Sequence, residues 1–395
     1  MKKTIRDYDL KGKRVIITSD LNVPFEEGFI SDFYRIEKSL PTIKYAIKEG
    51  AKVILLSHLG RIKSEEDKKK KSLKPVAEVI STKINKEVKF VSETRGKEVE
   101  ATIAEMQDGD IVMLENTRFE DFPDRKESEN AEDLGKYWAS LGDIFINDAY
   151  GIAHRLHASN VGIASNLSNG IGFLLEEELK VMKELTTEPK RPYLVIIGGA
   201  KAKDKLGVIK SIIEKADKML IVGGIAYTFL KALGYNIGKS ICDDDSIPEI
   251  KEIIAKYKEK IILPTDHRVA SIPIDGVNYR ETSINDIKEN EMGLDIGSES
   301  IEKAKKIIAE SKTIIWSGPA GLSEYDIFAV GTNELSLALA KNKDAITVVG
   351  GGDSVAAVKR SGVFDKLTHI STGGGATLAL LEGKRLPGVE IIKDK

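Results

Sequence analysis

What most constrains this chain is the spacing of its short apolar runs. β-Branched-rich segments recur at residues 14–18, 53–56, 111–114, 144–146, 194–197, 220–222, 261–263, 313–316, 346–349 and 369–371. Longer segments of helical periodicity separate them. The first holds Ile36, Leu40, Ile43 and Ile47 on one face and is closed by Gly50. Continuous apolar runs suit strands buried on both faces, and the intervening helices supply the crossovers that parallel strands need. The pattern predicts an α/β chain with doubly wound parallel sheets built from right-handed βαβ units. At 395 residues it predicts two domains rather than one.

Charge narrows the partners. Residues 1–170 carry 28 Lys+Arg against 29 Asp+Glu, and the rest of the chain carries 32 against 33. Neither part offers the basic stripe of a nucleic-acid binder. A single cysteine, Cys242, excludes an intrachain disulfide and a Cys-rich zinc site. No apolar stretch approaches the ~18 residues of a membrane span, and the first residues do not read as a secretory leader. A cytoplasmic protein is expected.

In open α/β sheets ligands bind beyond the carboxyl ends of the strands. In the first part of the chain those ends read SDLNVP, SHLGR, ENTRF and NDAYGIAHR; later they read GGAKAKDK, GGIAY, PTDHR, SGPAGLSE, GGGDS and STGGGA. The first set is rich in Arg, His, Asp and Asn, and the second is mostly glycine with Lys and hydroxyls. Between them Leu175, Leu179, Met182 and Leu185 recur at helical spacing, with Pro189 and Pro192 just beyond. This reads as an interdomain helix, an ordinary surface helix being the alternative.

Lysine outnumbers arginine 47 to 13, so arginines at strand ends carry information. Arg61, Arg118 and Arg155 follow three strands, and Arg35 opens a helix. Guanidinium forks bind carboxylate and phosphate bidentately, which suits a small phosphorylated acid; unrelated surface ion pairs are the plainer reading of any single one. Asp20 and Asn22 follow the first strand and could bond substrate hydroxyls. His58, His154 and His157 sit among the arginines, where Arg155 would repel a metal, so anion binding is the better role. In the later part, Gly350, Gly351, Gly352, Asp353 and Ser354, and Thr372 with Gly373, Gly374 and Gly375, offer backbone N–H groups and helix starts to phosphates. Lys201 and Lys205 add positive charge, and Asp353 is the best carboxylate for nucleotide-bound Mg²⁺. No G-x-G-x-x-G, H-E-x-x-H or G-x-S-x-G motif occurs, and the segment GYNIGKS is one residue short of a Walker A loop.

These strand ends, with DFYRIEKSLPTI, NDAYGIAHRLHASN, LPTD, GLDIG, WSGP and LEGKRLPG in the same order, resemble the phosphoglycerate kinase family over nearly the whole chain. The resemblance implies a phosphoglycerate-binding domain at 1–171, a hinge helix at 172–187, a nucleotide-binding domain at 188–375, and a segment at 376–395 packing back on the first domain. It implies reversible phosphoryl transfer from 1,3-bisphosphoglycerate to ADP, by a monomer that closes about its hinge. The acid-binding residues it implies are Asp20, Leu21, Asn22, Arg35, His58, Leu59, Gly60, Arg61, Arg118 and Arg155. The nucleotide-binding residues it implies are Lys201, Lys205, Gly223, Gly224, Gly293, Leu294, Glu324, Gly350, Gly351, Gly352, Asp353 and Ser354. Asp353 would support Mg²⁺, and Arg35, Lys201, Gly373 and Gly374 would act on the transferring group.

Some positions depart from the family pattern. Thr18-Ser19-Asp20-Leu21 stands for Arg-x-Asp-Phe, Val222 for a glycine, Ser298 for a proline, and SGPAGLSE at 317–324 for Asn-Gly-Pro-Met-Gly-Val-Phe-Glu. Serine reaches less far than asparagine, which raises a rival: a binding protein that kept the fold and lost nucleotide chemistry. A nicotinamide-dependent dehydrogenase shares the α/β alternation but needs a glycine fingerprint that is absent here.

Overall fold

The computed structural model describes residues 1–395. Each predicted apolar run forms a strand, and the strands assemble into two separate sheets. The chain divides into two units, Met1–Lys180 with Arg385–Lys395, and Val181–Lys384.

In the first unit six parallel strands lie in the order Lys89–Val91, Ile111–Leu114, Lys52–Leu56, Arg14–Ser19, Ile144–Asp148, Ser168–Ile171. Both faces of the central strands are covered, which is why IFI at 144–146 and IVML at 111–114 read as unbroken apolar runs. The helix Tyr34–Lys48 lays Ile36, Leu40 and Ile43 against Val15, Ile17, Val53 and Leu55. It ends where Gly50, at φ +77°, returns its N–H to the carbonyl of Ile47 at 3.0 Å. From Arg14–Ser19 the chain first fills one side, with Lys52–Leu56 adjacent, Lys89–Val91 at the edge and Ile111–Leu114 between them, and then restarts at Ile144–Asp148 on the other. The loops after these two strands therefore flank the topological switch point.

In the second unit the parallel order is Ile261–Ile262, Lys218–Ile221, Tyr193–Ile197, Thr313–Ser317, Ile346–Gly350, His369–Ile370. Its switch point lies between Tyr193–Ile197 and Thr313–Ser317. A second sheet of three antiparallel strands, Arg280–Ser283, Asp266–Ala270 and Met292–Ile296, lies beside it in sequence. The sequence reading treats PTDHR as a strand-end loop, whereas Asp266 and His267 begin a strand. The helix Phe173–Thr187 carries the chain from one unit to the other.

The helix Gly374–Leu381 packs on Leu206–Ile213, so residues up to Lys384 stay with the second unit rather than leaving at 376. Beyond Arg385 the chain joins the first unit. Asn147 Nδ2 donates to the Gly388 carbonyl at 2.8 Å, and the Lys393 N–H donates to Asn169 Oδ1 at 2.9 Å. No helix is long and apolar enough to cross a membrane.

Candidate active site

The first unit's site is built on Asp20, which leaves the strand Arg14–Ser19 and is 1% exposed. Its Oδ1 accepts from Arg35 Nη1 at 2.6 Å, and its Oδ2 has no partner within the protein. Gly151, across the switch point, makes this possible, since a Cβ there would stand 1.9 Å from Asp20 Oδ2. The neighbouring loops are fixed by side chains that replace backbone ladders. Asn116 Oδ1 accepts the N–H groups of Leu59 at 3.0 Å and Arg118 at 3.1 Å, while Nδ2 donates to the Leu59 carbonyl. Asn22 Oδ1 accepts from the Gly60 N–H at 2.8 Å, and Ser57 Oγ accepts from the Leu21 N–H at 3.0 Å. The side chains of Leu21 and Leu59 are buried in the core, so these two residues anchor the loops that carry Asp20, His58 and Arg61.

Around this frame the cations gather. A cavity of about 880 Å³ is lined by Arg61, Arg118, Arg125, His154, Arg155 and His157, among others. Burial lowers the Arg155 pKa, and the charges of Arg118 and Arg61 lower it further. Burial also drives His58 to about 4, with Arg118, Arg35 and Arg155 adding to the effect against the pull of Asp20. His157 falls to about 3, through burial and then Arg118. These imidazoles are neutral at pH 7 and act as hydrogen-bonding groups, while the guanidiniums keep their charge. Mutual repulsion of this kind is relieved by a polyanion.

Glu127 lies under this cluster, fully buried, and burial pushes it up to about 7. It accepts the Ser159 N–H at 2.9 Å and the Ser159 hydroxyl, and Thr18 Oγ1 donates to the Ser159 carbonyl at 2.6 Å. His157 Nδ1 is 3.7 Å from Glu127, beyond hydrogen-bond reach. Asn116, Glu127, Gly151 and Ser159 were not among the sequence candidates. Asn116 and Gly151 lie inside the strand-end motifs and Ser159 in the longer NDAYGIAHRLHASN, but nothing in their residue types announces a supporting role.

The second unit's site uses backbone more than side chains. A cavity of about 310 Å³ is lined by Lys201, Lys205, Ser317, Gly351, Gly352, Asp353 and Ser354 with neighbouring glycines. Lys205 Nζ donates to Ser317 Oγ at 2.8 Å, and burial lowers its pKa. Ser354 Oγ accepts from the Gly318 N–H at 2.6 Å. The helix Gly352–Arg360 starts in this cavity, with exposed Asp353 in its first turn. An adjoining cavity of about 340 Å³ is lined by Gly223, Gly224, Gly293, Leu294 and Glu324, and shares Gly199, Ala200, Pro319 and Asp353 with the first. Gly223 sits at φ +64°, and a Cβ there would be 2.7 Å from the Pro319 carbonyl. Gly350 ends the strand Ile346–Gly350, outside both linings. Gly373 and Gly374 also lie outside them, with Gly374 beside Gly351. No group of three or more His, Cys, Asp or Glu side chains is placed to hold a metal.

Residues 5–384 match the profile of the family described as phosphoglycerate kinase. The chain belongs to the phosphoglycerate kinase family. The phosphoglycerate kinases of Fusobacterium nucleatum and Enterococcus faecalis are each 51% identical to it, over 398 and 395 residues, with 100% of both chains covered. Among solved structures, phosphoglycerate kinase from Coxiella burnetii superposes with a TM-score of 0.87 at 36% identity, covering 99% of this chain and 98% of that one. The Pyrococcus horikoshii OT3 phosphoglycerate kinase gives 0.86 at 30%, covering 98% of each. The chain is a kinase of glycolysis by family, and the dehydrogenase alternative falls away.

Proposed function

We propose that this chain transfers a phosphoryl group reversibly from 1,3-bisphosphoglycerate to ADP, giving 3-phosphoglycerate and ATP. The observation that carries the reading is the gathering of Arg35, Arg61, Arg118 and Arg155 at one switch point, with a lysine-bearing glycine site at the other.

The acid binds to the first unit. Arg61, Arg118 and Arg155 hold its non-transferring phosphate, and Asp20, fixed by Arg35, accepts the proton of its hydroxyl. Asn22, Gly60 and the neutral His58, His154 and His157 complete the shell. The nucleotide binds to the second unit. Its base takes the Gly223, Gly224, Gly293, Leu294 cavity, Glu324 takes the ribose, and Lys205 with the helix start at Gly352 takes phosphates. The donor set fits Mg²⁺: one exposed carboxylate, Asp353, suits an ion that keeps phosphate and water ligands, and the ion would neutralise phosphate charge.

Departure of a carboxylate from an acyl phosphate needs no general acid, so alignment and charge neutralisation suffice. Arg35 and Lys201 stabilise the equatorial oxygens of the transferring group, with the helix start at Gly373 and Gly374 nearby. The two ligands belong to different units, so turnover requires closure about the helix Phe173–Thr187, which also excludes water. The enzyme acts as a cytoplasmic monomer.

A coupled assay of ATP formation from 1,3-bisphosphoglycerate and ADP tests the function. Turnover supports it, and binding of both ligands without turnover identifies the chain as a binding protein instead. Solution scattering tests closure: compaction with both ligands is expected, and an unchanged radius of gyration contradicts it.

A further inference from the structure

One buried acid of the first unit has no lysine or arginine to answer it. Glu127 is 0% exposed and outside the lining of the 880 Å³ cavity, and the one basic group within ion-pair distance of it is a residue of that lining, His157. His157 Nδ1 lies 3.7 Å from Glu127 Oε1, sealed from solvent and without a partner. Its Nε2 is not sealed and has no partner within the protein, so it is the nitrogen that a ligand in the cavity can reach. The surrounding charges are committed elsewhere. Asp121 raises the Glu127 pKa and Arg118 lowers it, and these two face each other at 3.6 Å. Beside Glu127 in the chain, Lys126 pairs with Asp133 and Arg125 with Glu129.

The pair has two protonation states of consequence. With Glu127 ionised, the ring keeps its single proton on Nδ1, because a lone pair there would face a negative charge in a sealed, low-dielectric space. Nε2 then offers only a lone pair, and an ionised phosphate or carboxylate, itself an acceptor, finds no bond there. With Glu127 protonated, the carboxyl donates to Nδ1 and the ring proton sits on Nε2, where an anion can accept it. Closing that bond needs an approach of roughly 1 Å. The sealed carboxyl needs no water of its own: one proton enters at Nε2 from solvent, and the Nδ1 proton passes to Oε1. His154 is not free to act in this way, since its Nε2 accepts from Arg155 Nε at 3.2 Å.

We propose that Glu127 is a positioning residue for the acid: by taking a proton it sets the tautomer of His157, and binding of the phosphorylated acid is thereby linked to proton uptake. The proposal rests on the acid-binding reading of this cavity and adds the origin of its pH response. Burial supports it by placing Glu127 at about 7, where both states are populated, and by holding His157 at about 3, so that imidazolium is not the resting form. The charges of Arg118, His58, Arg155 and His154 add to the second effect.

The test is calorimetric titration of the whole chain with 3-phosphoglycerate between pH 7 and 8.5, in buffers of different ionisation enthalpy. The parent, Glu127→Gln and His157→Leu are compared. The ligand's phosphate, with a second pKa of about 6, is ionised across this window. The parent's affinity should fall roughly 10-fold from pH 7 to 8.5, and binding at pH 8 should take up roughly half a proton. Glu127→Gln, whose amide can donate at every pH, should lose most of the pH dependence and of the proton uptake. His157→Leu should bind more weakly and equally without pH dependence, and it serves alone if Glu127→Gln does not fold. Parent and variants with the same pH dependence and proton uptake overturn the proposal, as does a loss of affinity by one constant factor at every pH, the mark of a merely structural role. If 3-phosphoglycerate fails to bind the parent at any pH, the acid-binding reading itself fails and the proposal with it. That result is distinct from binding that ignores Glu127.

Discussion

The two units solve the same problem, holding a phosphorylated ligand beyond a parallel sheet, with different materials. The first uses side chains: crowded guanidiniums, among which burial and the charges of Arg118 and Arg61 lower the pKa of Arg155, and imidazoles kept neutral by burial. The second uses backbone: glycines that let loops approach within contact of one another, a helix start, and few charged groups. The difference follows from the ligands. A small polyanion offers little surface and must be held by charge and forked hydrogen bonds. A nucleotide offers a flat ring, which needs room and apolar contact, and phosphates that backbone N–H groups can cradle.

The sharpest way to break this contrast is at the transferring group, where both materials should matter equally. Arg35→Ala and Lys201→Ala should each lower turnover ~10²–10³-fold in the coupled assay. A large loss from only one would assign that step to one unit. Next come the two crowded glycines. Gly151→Ala places a methyl group on Asp20, and Gly223→Ala places one on the Pro319 carbonyl. The first should raise KM for the acid and the second KM for the nucleotide, each roughly 10-fold, with ~1–3 kcal/mol lost from stability. Smaller still is Ser317→Ala. It removes the acceptor of Lys205, so KM for the nucleotide should rise several-fold, about the worth of one hydrogen bond to a charged group, with acid KM unchanged.

How much of this was legible in the sequence differs between the two units for the same physical reason. Arginine among abundant lysine is conspicuous, so Arg35, Arg61, Arg118 and Arg155 could be picked out, and the structure gathers them. The groups that hold them are ordinary residue types whose role is position, as with Asn116 under Leu59 and Glu127 under Ser159. Gly151 matters only because Asp20 stands opposite, a contact 131 residues apart in the chain. The central parallel strands were legible because burial on both faces demands unbroken apolar runs, whereas the edge strands Lys89–Val91 and Ser168–Ile171, short and partly polar, were not. The antiparallel sheet was not, since DHRVA is mostly polar, RETS wholly so, and the two pair over a long loop. For the same reason His267 reads as a loop residue in sequence and proves to be the first buried residue of the strand Asp266–Ala270.

The least effect concerns stability rather than ligands. Burial holds Glu127 at about 7, above its ordinary 4.5, so the folded chain keeps a proton that the unfolded chain releases. This group's contribution is full below pH 4.5 and is lost as pH rises through 7. Glu127→Gln should remove that dependence, so the variant's melting temperature relative to the parent should climb across the window. A constant difference would show that Glu127 ionises freely in the fold.

The central claim is that each unit binds its own ligand through its own chemistry. Calorimetric titration of 3-phosphoglycerate and of MgADP into the parent, Arg118→Ala and Lys205→Ala tests it most directly. Arg118→Ala should weaken the acid at least 10-fold and leave MgADP unchanged, and Lys205→Ala should do the reverse, consistent with lost charge-assisted bonds. Loss of both ligands in either variant, or of neither in both, would contradict the account.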